Sequence, residues 1–309
     1  MQRKIAFMGT PNFAVPILKY IYQNGYEISA VYTQPPKKSN RGQKIEKSPI
    51  HLLAETLSLN VRTPEQLKDN KLEYEYLKNL HLDLVIVVAY GQIIPKNFLL
   101  LSKEGFINLH ASILPKWRGA APIQRSIMNL DKETGISIMK ISEKLDTGPI
   151  FCTYKIKIRD SDNTQIISDK LSKLASEKIL DVVDNIIDDK IKPVEQDHRN
   201  ATYANKIKKI EGKINWNKPA REIIGIINGL NPSPGAWFNF SGERYKILNA
   251  KISETNGKAG EVTNDKLEIA CSDLSIQVLE IQREGKQPQK INEFILGSKI
   301  KKGSILRYE

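Results

Sequence analysis

Ten residues, Leu82 to Gly91 (LDLVIVVAYG), constrain this chain more than any other stretch. An apolar, β-branched run without polar alternation is the pattern of a strand covered on both faces, and such strands lie in sheets with helices packed on each side. The flanking sequence supplies the alternation that this requires. KIAFMG and ISAVYT read as short strands; between them PNFAVPILKYIYQNG carries Phe13, Ile17, Tyr20 and Ile21 at helical spacing, and Gly25 suits the helix end. Ser48-Pro49 is placed to open a helix through Leu59, with the serine oxygen as acceptor and proline at the first helical position. A further helix is expected over Thr63 to Leu80. FINLHASILP is another strand, ending in a turn before the helix RGAAPIQRSIMNL. Strands alternating with helices imply an α/β, Rossmann-like, open and mostly parallel sheet with right-handed crossovers. MGTPNFAVP lacks the G-x-G-x-x-G spacing, which disfavours a dinucleotide site.

GISIMKI and IFCTYKIKI then read as two strands joined by SEKLDTGP, and Ser161 to Asp189 as a long amphipathic helix. Past Asp189 the sequence turns polar. Beyond Lys209 come one helix near Ala220 to Asn231 and the short runs AWFNF, RYKILNAKIS, LEIACSD, LSIQVLEIQ and KIKKGSIL, separated by Gly, Asn and Asp turns. The expected division is a first domain over residues 1–189, a linker over 190–208 and a small OB-like β-barrel domain over 209–309. At 309 residues and 40% hydrophobic, the chain has enough apolar side chains for two cores. No run approaches the roughly 18–20 apolar residues that cross a bilayer. MQRKIAFMGT passes from two basic residues straight into a strand, unlike a signal peptide, so a cytoplasmic address without membrane partners is expected. Cys152 and Cys271, the only two cysteines, cannot build a disulfide scaffold or a thiolate metal site, and no metal is expected.

The formal charge of +12 points to a polyanionic partner, and its distribution is uneven. Through Asn205 there are 29 basic and 23 acidic residues; the remaining 104 residues carry 18 and 12, twice the excess per residue. A second concentration is Gln34 to Ser48, where Lys37, Lys38, Arg41, Lys44 and Lys47 face a single Glu46. This reads as a basic loop.

The chemistry is concentrated in Asn108-Leu109-His110-Ala111-Ser112-Ile113-Leu114-Pro115. Residues two apart on a strand share a face, so Asn108 and His110 present a carboxamide and an imidazole to one small group. Asp146 lies in the LDTG turn, where an aspartate and Gly148 permit a sharp reversal. Asn, His and Asp with no serine or cysteine elbow suit proton movement and oxyanion stabilisation without a covalent enzyme intermediate, as in direct acyl transfer.

These stretches resemble a known family. MGTPNFAVPIL, the basic loop, VVAYGQIIP, NLHASILPKWRGAAPIQRSI, LDTGPI and ATYANKIKKIEGKINWNKPAREIIGIINGLNPSPGAWF together are similar to methionyl-tRNA formyltransferases from end to end. The resemblance implies transfer of a formyl group from 10-formyltetrahydrofolate to the amino group of methionine on initiator tRNA, by an enzyme expected to be a monomer. It also implies roles: Asn108, His110 and Asp146 as the catalytic trio; Ser112, Ile113, Leu114 and Pro115, with Ala89, Tyr90 and Gly91, against the folate. Lys37, Lys38, Arg41, Lys44, Lys206, Lys208 and Lys209 would meet the tRNA. Lys144 stands before Leu-Asp-Thr-Gly where the family carries a small residue. The same trio would serve a formyltransferase acting on an amino sugar nucleotide or glycinamide ribonucleotide, and the basic tail argues for tRNA. A non-catalytic RNA-binding protein with an OB-like tail is the reading from a different class.

Overall fold

The computed structural model describes residues 3–39 and 44–308. The chain runs β1 (Lys4–Gly9), α1 (Val15–Gln23), β2 (Glu27–Tyr32), β3 (Lys37–Ser39), β4 (Lys44–Glu46), α2 (Pro49–Thr56), β5 (Val61–Arg62), α3 (Lys71–Asn79), β6 (Leu84–Val88) and β7 (Phe106–His110). It continues through β8 (Arg118–Gly119), α4 (Pro122–Met128), β9 (Glu133–Lys140), β10 (Ile150–Lys157), α5 (Thr164–Ile187), β11 (Tyr203–Ala204) and α6 (Ala220–Leu230). Last come β12 (Ala236–Phe240), β13 (Glu243–Ser253), β14 (Val262–Asn264), β15 (Glu268–Ala270), β16 (Ser275–Arg283), β17 (Gln289–Lys290) and α7 (Ile291–Gly297). Two compact units result: one takes the chain to Gly119 with 134–156 and 168–203, the other 120–133, 157–167 and 204–309.

The first unit holds a seven-stranded sheet in the order β10-β9-β7-β6-β1-β2-β5. The five strands from β7 to β5 are parallel neighbours, and β9 joins β7 antiparallel. All five residues of β6 are buried, as a strand between two helix layers must be, and each such aliphatic contributes about 1.5–3 kcal/mol. From β1 the chain moves out to β2 and β5, then returns to the other side of β1 for β6 and β7. The order therefore reverses between β1 and β6, and the loops leaving their C-terminal ends diverge into a crevice. Gly9 ends β1 there. A Cβ at this position would sit 3.1 Å from the Val88 carbonyl oxygen and 2.8 Å from the Phe7 ring, too close for any side chain.

Two expected elements are shorter than their periodicity suggests. The helix expected over Thr63 to Leu80 begins only at Lys71, because Asp69 takes a left-handed φ of 57° and Asn70 caps the helix by accepting the Glu73 N–H at 3.1 Å. KIKKGSIL is not a regular strand: Gly303 turns at φ 82° and what remains is the Glu261–Ile305 bridge with its flanking backbone bonds. By contrast Ser48 opens α2 as expected, accepting the His51 N–H at 3.0 Å.

In the second unit, β12-β13-β16-β15-β14, with β17 on β16, form a six-stranded sheet whose recorded pairings are antiparallel. Its core stacks Phe238 on Tyr245 at 5.5 Å and sets Trp216 and Phe294 edge-on against them. Helix α6 adds Ile223, Ile224 and Ile227 to this core. Its opposite side meets α4 through glycines. A Cβ on Gly229 would lie 2.5 Å from Met128 Cγ, and one on Gly225 2.8 Å from Leu130.

Candidate active site

Strand β7 ends at the crevice and points Asn108 and His110 to the same side, as its alternation requires. The turn after β9 brings Asp146 to them. Asp146 Oδ1 accepts from Asn108 Nδ2 at 3.3 Å; Oδ2 accepts the Gly119 N–H at 2.9 Å and lies 3.6 Å from His110 Nδ1. The side chains of His110 and Asp146 are only 6% and 9% exposed, so these interactions act with little competing water. Asp146 adopts φ 52°, a left-handed conformation held by the Lys144 carbonyl, which accepts from the Thr147 hydroxyl at 3.0 Å. Lys144 itself points to solvent, so its departure from the family pattern leaves the turn intact.

The ring of His110 is oriented from its other side. Nε2 lies 2.9 Å from the Trp117 carbonyl oxygen, which can only accept. Nε2 therefore carries a proton, and Nδ1 faces the carboxylate. Trp117 also has a left-handed φ, 61°, and its N–H donates to the Thr202 hydroxyl at 2.9 Å. Thr202 O accepts the Arg118 N–H at 2.9 Å as well. Sequence reading singled out none of these backbone groups, since a carbonyl or N–H leaves no mark in residue type.

Of the residues expected against folate, Ser112 is fully buried, with its hydroxyl donating to Lys116 O at 2.6 Å, and its carbonyl accepts from Ser137 at 2.8 Å. The Ser137 oxygen in turn accepts the Leu114 N–H at 3.1 Å, so Ser112 and Leu114 shape the segment, with partly exposed Ile113 and Pro115 beside them. At the end of β6, Ala89 and Gly91 are exposed and both have positive φ. The ring of Tyr90 instead belongs to the core with Met8, Leu67 and Phe98, where burial pushes its phenol above the usual range. Its carbonyl faces the crevice and accepts from Thr10 Oγ1 at 2.8 Å, while Gln34 Nε2 donates to Gly91 O at 2.6 Å.

Among the expected cations, Lys37 is exposed and donates to Gln34. Lys38 and Lys44 lie on the short pair β3 and β4, and Arg41 lies outside the described residues. In the second unit Lys206, Lys208 and Lys209 are exposed, and among the described residues none is ion-paired with a carboxylate. The sequence reading missed their neighbourhood. Lys209 O accepts from Trp237 Nε1 at 3.2 Å, and Arg244 and Lys213 stand over the Trp237 ring at 4.2 Å and 5.8 Å. The pairing of β12 with β13 brings Arg244 to that ring, and the bridge between Lys213 and Trp237 brings the segment before α6. A cavity of about 440 Å³ in the second unit, with Leu130, Ile224 and Asn228 in its wall, contains none of the trio. Among the described residues no three His, Cys, Asp or Glu gather as a metal site would require, and no helix is long and apolar enough to cross a membrane.

Known proteins match this chain over nearly its whole length. The formyl transferase family model matches residues 3–183, and that of the formyl transferase C-terminal domain 206–299. Methionyl-tRNA formyltransferase of Pelagibacter ubique is 66% identical over 305 residues, covering 98% of each chain. That of Caulobacter vibrioides is 43% identical over 307 residues, covering 98% of this chain and 99% of the relative. Among solved structures, a sugar 3N-formyl transferase, WlaRD, aligns with a TM-score of 0.70 at 20% identity over 93% of this chain and 100% of its own. Methionyl-tRNA formyltransferase from Clostridium thermocellum aligns at 0.57 and 19% identity over 83% and 95%, so both attest the fold. With both family models matched in order along the chain and relatives at 66% and 43% identity over nearly its full length, the chain belongs to the methionyl-tRNA formyltransferase family.

Proposed function

We propose that the chain transfers the formyl group of 10-formyltetrahydrofolate to the α-amino group of methionyl initiator tRNA, in the cytoplasm. The observation that carries the reading is the Asp146 carboxylate, bonded to Asn108 and 3.6 Å from His110 at the C-terminal end of the parallel strands. The acceptor amine, with a reference pKa of about 8, is partly neutral at pH 7 and needs little activation. It attacks the formyl carbon; a C–N bond forms, the bond from that carbon to the folate nitrogen breaks, and the amine proton ends on the folate. His110 Nδ1 takes that proton and returns it to the leaving nitrogen, since Nε2 is committed to Trp117. This geometry divides the labour assigned from sequence: the second N–H of Asn108 stabilises the oxyanion, while the imidazole moves the proton. Asp146 fixes both. Folate lies across the crevice against Ile113 to Pro115 and the backbone of 89–91.

Residues 1–189 carry the chemistry in this reading, and 209–309, joined through 190–208, hold the tRNA. Lys206, Lys208 and Lys209, with Lys37, Lys38, Arg41 and Lys44, meet phosphates through counterion release. The enzyme acts as a monomer, requires no metal, and the scheme asks nothing of one, because no water is ionised. Incubation with 10-formyltetrahydrofolate and charged initiator tRNA, beside charged elongator tRNA and free methionine, tests the whole reading. Formylmethionine is expected on the initiator alone; formylation of an amino sugar nucleotide instead would replace it.

A further inference from the structure

The geometry points to Gln196 and Arg118 as positioning residues for the Asp146 carboxylate, an inference that rests on the formyl-transfer reading above. Gln196 follows α5 in a stretch that sequence alone reads as a linker, yet it is 7% exposed. Its Nε2 donates to two carbonyls, Asp146 O at 3.0 Å and Gly148 O at 2.7 Å, on either side of Thr147. Its Oε1 accepts from Arg118 Nη2 at 2.6 Å and Nε at 3.1 Å. A flipped amide would set its oxygen against two carbonyls and its N–H groups against a guanidinium, so the chemistry admits one orientation. All four hydrogen-bonding positions of the amide are used.

Arg118 is 2% exposed, and its remaining bond runs from Nη2 to His198 Nδ1 at 2.8 Å. Among the described residues no carboxylate pairs with it, so this buried charge is held for something other than an ion pair. The peptide unit that follows it supplies the reason. Gly119 N–H donates to Asp146 Oδ2, so one short segment grips the aspartate twice: directly through its backbone, and through the Arg118 side chain by way of Gln196. The bonds close a ring from the Asp146 carbonyl back to the Asp146 carboxylate. A left-handed aspartate is strained and persists only where its surroundings over-determine it. The ring does this. Releasing it would let the carboxylate turn from His110, where misplacement by about 1 Å costs on the order of 100-fold in rate.

The test is a double-mutant cycle on single-turnover formylation with both substrates saturating. Gln196→Leu should lower the rate about 10- to 100-fold with KM for folate and tRNA within about threefold. In an Asp146→Asn background the same change should cost less than about threefold, because the group through which Gln196 acts is already gone. Arg118→Lys, which keeps the charge and loses the fork, should cost about 3- to 10-fold and be equally silent there. It carries the cycle alone should Gln196→Leu fail to fold. Equal losses in both backgrounds would mark a merely structural role and overturn the inference, as would an unchanged rate. Inactivity of the unaltered enzyme would instead strike the functional reading.

Discussion

The trio at the end of β7 and the cations before α6 are opposite solutions to the problem of placing charge. Around Asp146 both carboxylate oxygens are hydrogen-bonded, to Asn108 and Gly119, and His110, Arg118 and Gln196 beside it are buried. Lys206, Lys208 and Lys209 stand exposed on the second unit, and among the described residues none of their ammonium groups forms an ion pair. Chemistry on a single carbonyl rewards preorganisation, because the donors must already be aimed when charge develops. Binding a phosphate backbone rewards cations that carry no partner to displace. Damage to the first region should therefore appear in the rate, and damage to the second in salt-dependent affinity.

The largest effect tests the first half. His110→Ala should lower single-turnover formylation about 10²- to 10⁴-fold, and Asp146→Asn about 10²- to 10³-fold, with tRNA affinity unchanged. The asparagine leaves one oxygen to face two donors, Asn108 Nδ2 and Gly119 N–H, so one bond must be lost. A variant that binds tRNA more weakly but turns over normally would break the contrast.

Next comes the second region. Replacing Lys206, Lys208 and Lys209 together by alanine should leave the saturated rate intact and flatten the log–log salt dependence of tRNA binding by about 2–3, given roughly 0.7–0.9 per phosphate contact. Filter binding between low and physiological salt measures this. An unchanged slope would remove these lysines from the interface.

The two regions also differ in how much of them can be read from sequence. Asn108 and His110 are legible because a strand's alternation puts them on one face, and LDTG announces a turn. The partners that set their angles are not: Trp117 O, Gly119 N–H and Thr202 O act through backbone atoms that any residue owns. Gln196 escaped because it sits in a polar stretch whose composition suggests a linker, though it is buried against the site turn. Tyr90 is half legible, since a motif match assigns the residue and only the fold shows that its ring is core while its carbonyl accepts from Thr10. On the basic side the excess of charge is plain in sequence. The stacking of Arg244 on Trp237 is not, because it depends on strand register.

A smaller effect separates fold from site. Gly229→Ala would force a Cβ to within 2.5 Å of Met128 Cγ and 3.0 Å of Gln124 O, between α4 and α6. Overpacking of this kind costs about 1–3 kcal/mol, to be read as a lower denaturation midpoint. Met128 can yield but the Gln124 carbonyl, being backbone, cannot, so the loss should persist after Met128→Ala relieves the side chain. Formylation per folded molecule should stay normal.

The smallest effect is a pH dependence in the second unit. Glu211 accepts from Arg125 at 2.5 Å, and this bond, with the Lys208 N–H at 2.7 Å, holds its carboxyl below the ordinary range against the opposing push of burial. A carboxylate whose folded pKa lies below its unfolded value stabilises the fold above the unfolded pKa, about 4.3, and loses that contribution as pH falls through the folded value. The pair is partly open to solvent, which confines the effect to less than about 1 kcal/mol. Glu211→Gln should therefore lower stability at pH 7 and make no difference well below pH 4, so the two unfolding curves converge on acidification. Added salt should narrow the gap at pH 7, whereas the His110–Asp146 contact, with both side chains nine-tenths buried, should leave the single-turnover rate at saturating substrates unchanged under the same salt. If salt moved both equally, the distinction between a buried, preorganised centre and an open, screened surface would not hold for this chain.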